Sequence, residues 1–224
     1  MNFSGVLNVF YAELPLNPER EPIFNAPWPP LALTAVIVAG YGLQAFTPDN
    51  AGFFAYAFSP RDLQDGRWIT LFTSLFIHGS WGHALMNAAF VLAFGTPLAR
   101  YLGSRPGGAG LFFLFYLASG ALASLGFGLV HAGQAVELVG ASGAASGLAG
   151  AAARLIAGRG EIGRIWSPVV IGMGASWLIV NLLIAVVGFA PGAGGAPVAW
   201  EAHIFGFAAG VLLCQLLKSR GVEA

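Results

Sequence analysis

Residues 108–130 read GAGLFFLFYLASGALASLGFGLV, without one charged side chain. A helix needs about 20 mostly apolar residues to cross a bilayer core, so this stretch is long enough to span a membrane. Working outward, five more apolar stretches approach that length: 31–47, 81–99, 138–157, 166–189 and 200–217. The whole chain is 57% hydrophobic and 9% charged, with mean hydropathy +0.73. A soluble domain carries about 25% charged residues. The expected fold is therefore all-α: a polytopic membrane protein with a bundle of six transmembrane helices. The mixed segment 48–80 holds Pro48, Asp49, Asn50, Pro60, Arg61, Asp62, Asp65 and Gly66, and reads as a long structured first loop.

The membrane domain is expected over 31–217, between an N-terminal lead-in (1–30) and a C-terminal tail (218–224). The lead-in lacks the basic start and unbroken apolar run of a cleavable signal, and its stretch from Pro15 to Pro30 is proline-rich. Basic residues set the orientation. Arg100 and Arg105 lie between the second and third spans, Arg154, Arg159 and Arg164 near the link from fourth to fifth, and Lys218 and Arg220 after the sixth. Positive loops favour the cytoplasm, so both termini are expected there, most simply at a bacterial inner membrane. Arg61 and Arg67 in the first loop run against this pattern. Net charge is zero, which gives no electrostatic reason to expect nucleic acid. The single cysteine, Cys214, excludes an intrachain disulfide.

Polar groups inside apolar spans are expensive and mark candidate sites. With this orientation the second, fourth and sixth spans all start at the outer side. His83 and Asn87 lie near the start of the second, Ser142 of the fourth and His203 of the sixth, so all four share one depth. Small residues form two rows, Gly143/Gly147/Gly150 and Ala202/Gly206/Gly210. Such rows let membrane helices approach backbone to backbone. If these two pack together, Ser142 and His203 come within reach. His83 and Asn87 are four residues apart on one helix face. Asn87 offers amide protons and His83 one ring proton, which suits a developing oxyanion. Ser80 is the expected N-cap of that helix, with His78 on its loop side, where a polar network tying the loop to the bundle is the preferred reading. Ser146 shares a face with Ser142 and is a rival nucleophile on geometry alone. Asn181 reads as a packing hydrogen bond, and His131 has no obvious partner. Glu201 points away from His203, and Glu137 caps or faces water.

His78-Gly79-Ser80-Trp81-Gly82-His83-Ala84-Leu85-Met86-Asn87 resembles the HxxxxHxxxN pattern of rhomboid intramembrane proteases. Gly140-Ala141-Ser142-Gly143 is similar to their GxSG motif, and Ala202-His203 with Gly206 and Gly210 to their last-helix AHxxGxxxG pattern. The resemblance covers about 31–217. It implies a Ser142–His203 dyad acting through an acyl-enzyme, with the Ser142 backbone N–H, His83 and Asn87 holding the oxyanion. It implies supporting roles for His78, Gly140, Gly143 and Gly206, no cofactor or metal, and transmembrane proteins as substrates, entering laterally near the second and fifth spans. Two departures stand out. The family's Trp-Arg pair is absent from its usual register, where Ile69 and Thr70 stand, with Arg67-Trp68 just before. Ser146 replaces the aromatic that some members carry four residues after the nucleophile.

Two other readings compete: a catalytically silent rhomboid-like binder of membrane segments, and a small transporter with His83 and His203 as a proton relay. Retention of both Ser142 and His203 weighs against the first. The absence of inverted repeats weighs against the second. Oligomeric state is left open.

Overall fold

The computed structural model describes residues 25–48, 50–188 and 197–217. Six long helices order the described residues: α1 (Trp28–Phe46), α2 (Trp81–Leu102), α3 (Pro106–Val130), α4 (Ser142–Ala157), α5 (Pro168–Val187) and α6 (Trp200–Leu217). All except α4 are long and apolar enough to cross a membrane. This is a polytopic all-α integral membrane fold. The expected tail 218–224 and most of the lead-in lie outside the described residues. The last part of the lead-in does not stay irregular. Trp28, Pro29 and Pro30 already belong to α1, because the first helical positions tolerate proline, whose missing N–H is an orphan there anyway.

The expected fourth span needs a larger correction. Residues 138–141 are apolar but not helical, and α4 begins only at Ser142. Gly140 sits at φ 107°, where a side chain would be strained. Leu138 pairs with Phe58 of the first loop through two backbone bonds of 3.0 and 2.7 Å. The Gly140 N–H bonds to the Ser74 carbonyl at 2.9 Å. Non-helical backbone at membrane depth survives only where protein or a cavity satisfies it. Here the first loop does so. With 16 residues, α4 measures about 24 Å, short of a full hydrocarbon core.

Every residue of α4 from Gly143 to Leu155 is buried. A helix enclosed on all sides must be thin, and this one is mostly glycine and alanine. Four helices pack on it: α2, α3, α5 and α6. The two small-residue rows meet as the spacing predicts. A Cβ on Gly206 or Gly210 would land on the carbonyl of Gly143 or Gly147, and one on Gly150 would strike the Phe207 carbonyl. Neither backbone can yield. Gly210→Ala is therefore expected to cost about 1–3 kcal/mol, the usual range for overpacking. Gly172→Ala, on the exposed face of α5 with nothing within 4 Å, should be neutral or slightly stabilising. Thermal unfolding of the two variants in one detergent checks this, and equal stability would contradict the backbone contact.

At the far end of α4, Arg154 does not simply flank a loop. It is buried, and its guanidinium donates to the carbonyls of Gly163 (2.7 Å) and Val211 (2.8 Å) and to Gln215 Oε1 (3.1 Å). It thus ties α4 to the following link and to α6. By contrast, α5 buries only Val170 and Asn181 and is the most loosely enclosed of the helices that span.

Candidate active site

The site is assembled at one end of the bundle, from the starts of α2, α4 and α6. Ser80 caps α2 as its sequence suggests, its hydroxyl accepting the His83 N–H at 3.1 Å. That fixes where the helix begins. His83 and Asn87 then fall one turn apart on the face turned to α4. A Cβ on Gly140 would lie 2.6 Å from the His83 ring and 3.3 Å from Asn87 Nδ2. Gly140 is thus needed twice, for its backbone angle and for this close approach. His83 Nδ1 accepts the Gly79 N–H at 3.4 Å, which leaves Nε2 as the proton-bearing nitrogen on the Gly140 side. Asn87 Nδ2 is buried without a hydrogen-bond partner. A buried orphan donor is costly and calls for a reason.

Ser142 is the first residue of α4, so its own N–H and the next two have no partner inside the helix. The expected depth of a turn or more into the helix is replaced by entry from the loop. Gly143 faces Ala202, so the helix starts that carry Ser142 and His203 pack against each other. Among the described residues no hydrogen bond joins the two side chains. The rival Ser146 is accounted for: it is buried, and its hydroxyl donates to the Ser142 carbonyl at 2.7 Å.

His78 is fully buried and belongs to the scaffold around the start of α4. Its Nε2 accepts the Ala141 N–H in a long bond of 3.4 Å, and its ring meets the His83 ring edge-on at 5.1 Å. Burial, reinforced by His83, lowers its pKa to about 3, so it stays a neutral acceptor at ordinary pH. Gln44 of α1 holds its backbone from both sides, Nε2 to the His78 carbonyl at 2.7 Å and Oε1 from its N–H at 3.2 Å. Gln44 gives no signal in the sequence beyond being a polar residue in an apolar span. Arg67, out of register with the family's Trp-Arg pair, still anchors the first loop. It bonds the Ala55 carbonyl at 2.7 Å and pairs with Asp62 at 3.4 Å.

One further expectation is revised and two gain partners. His131 has partners after all: its Nε2 meets Glu201 Oε1 at 3.2 Å and its Nδ1 meets Gln134 Oε1 at 3.1 Å. Glu201 accordingly serves the end of α3 and not His203. Asn181 of α5 makes the expected hydrogen bond between helices, and its partner is His203, Oδ1 to Nδ1 at 2.6 Å. Beside it an aromatic seam joins α2, α5 and α6. Trp177 lies 6.4 Å from Phe90, 5.8 Å from Phe94 and 6.0 Å from Phe207, ring to ring.

Residues 65–220, well over half of the chain, match the family model described as the Rhomboid domain. The chain belongs to the rhomboid family. A protein of Bacillus subtilis (strain 168) named "Putative rhomboid protease YdcA" is 30% identical over 153 residues, 68% of each chain. The matched region contains the starts of α2, α4 and α6 and so every rhomboid-like motif read from the sequence.

Proposed function

We propose that this rhomboid protein is an intramembrane serine endopeptidase that cuts membrane proteins in or near their transmembrane segments. Ser142 attacks the peptide carbonyl while His203 takes its proton, and His203 then protonates the leaving amine. The peptide C–N bond breaks as the serine ester forms, and water, with His203 again as base, hydrolyses that ester and regenerates Ser142. The tetrahedral oxyanion is held by the Ser142 N–H, Asn87 Nδ2 and His83 Nε2. Family membership and the relative's name support the protease reading. The single observation that carries the assignment of roles is the convergence of the α4 N-terminus, an orphan buried amide and a ring N–H around Gly140. The missing Ser142–His203 bond does not argue against the pair, because such bonds are often long in free enzymes and tighten with substrate.

The basic residues Arg100, Arg105, Arg154, Arg159 and Arg164 gather near the opposite ends of the same helices. On the positive-inside rule this supports an outward-facing site with both termini in the cytoplasm. Purified protein should cleave a model single-span substrate and react covalently with a fluorophosphonate probe. Neither cleavage nor labelling of folded protein would favour the silent segment binder.

A further inference from the structure

We propose that Asn181 is a positioning residue that locks His203 in the tautomer able to act as base. The inference rests on the dyad reading above and goes beyond it by adding a third residue from α5. Asn181 Nδ2 lies 2.8 Å from the carbonyl of Trp177, one turn back along α5. A carbonyl only accepts, so that amide atom must be the NH2 group. The oxygen of the same amide therefore faces His203 Nδ1, at 2.6 Å. An amide oxygen also only accepts, so Nδ1 must carry the proton. Neutral His203 is then left with its lone pair on Nε2, as a base toward Ser142 requires.

The setting points away from simple packing. Among the described residues of α5 only Val170 and Asn181 are buried, so this helix holds the bundle with little of its surface. Its one buried polar side chain is spent on the candidate base. The aromatic that some family members carry four residues after the serine is absent here, since Ser146 stands in its place. Asn181 supplies from another helix the restraint that an aromatic would have given.

The test compares wild type, Asn181→Leu, Asn181→Asp and His203→Ala on a single-span substrate in liposomes. Asn181→Leu keeps the bulk and removes the acceptor, and should lower kcat about 10²-fold, the scale of a misplaced catalytic group, with KM within about twofold. Asn181→Asp loses the Trp177 bond but keeps an acceptor on Nδ1, and should recover most of kcat. Nitrogen-15 spectra of histidine-labelled protein should show His203 as the Nδ1–H tautomer in wild type and as a mixture in Asn181→Leu. Lower thermal stability of Asn181→Leu with unchanged kcat and tautomer would overturn the proposal in favour of packing. Equal losses in the Leu and Asp variants would also overturn it. Wild-type cleavage by His203→Ala would instead bring down the dyad itself, whereas an inactive His203→Ala beside a fully active Asn181→Leu would bring down this inference alone.

Discussion

Ser142→Ala is expected to abolish cleavage, with a loss of about 10⁶ in kcat, the scale seen when the nucleophile is removed from a serine hydrolase. The loss should be that large because nothing nearby can replace the hydroxyl. Ser146 is the nearest candidate by spacing, but it is buried and engaged with the Ser142 carbonyl at 2.7 Å. Ser80 caps α2. The Ser142 side chain, in contrast, has no hydrogen-bond partner among the described residues, so its removal leaves no buried group unpaired. Folding should therefore be spared, and thermal unfolding should match wild type. Gel assays of a single-span substrate in liposomes, run beside Ser146→Ala, read the outcome. Loss of activity in Ser142→Ala and retention in Ser146→Ala support the assignment. The reverse pattern would move the nucleophile to Ser146 and dismantle the site as drawn.

What the sequence made legible follows from how local each feature is. Helix spans depend on runs of apolar residues, and five of the six lie within a few residues of their expected bounds. The α4–α6 contact depends on two rows at helical spacing, so Gly206 and Gly210 could be read as backbone contacts from the chain alone. The Ser80 cap needs only its own next turn. The start of α4 was hidden because Leu138 to Ala141 are as apolar as a helix. Their irregular shape comes from Phe58 and Ser74, more than sixty residues earlier. Pairings across long separations were hidden for the same reason. Gln44 with His78, His131 with Glu201 and Asn181 with His203 leave no mark on spacing. The motif residues were visible because each lies on a helix start whose register is local. The residues that orient them were not, because only the packed bundle brings them near.

Asn87→Ala is the variant in which activity and stability are expected to part most clearly. Asn87 Nδ2 is buried, unpartnered and directed at Gly140, where the His83 ring also converges. A buried donor without an acceptor carries a desolvation cost of about 1–3 kcal/mol. Removing it should leave the resting fold equally stable or slightly more so. An acceptor for that N–H arises only when the carbonyl oxygen becomes an oxyanion, so the interaction belongs to the transition state. Loss of one such donor lowers kcat by about 10²–10³. The KM should change little, because an interaction made only in the transition state does not contribute to ground-state binding. Kinetics at saturating substrate, with melting curves on the same preparations, test both halves. A fall in stability with kcat intact would make Asn87 a structural amide and leave the oxyanion to His83 and the α4 N-terminus. A large fall in kcat without loss of stability would mark the strain of an unpaired amide as a feature kept for catalysis, since a protein selected for stability alone would have filled that position with an apolar side chain.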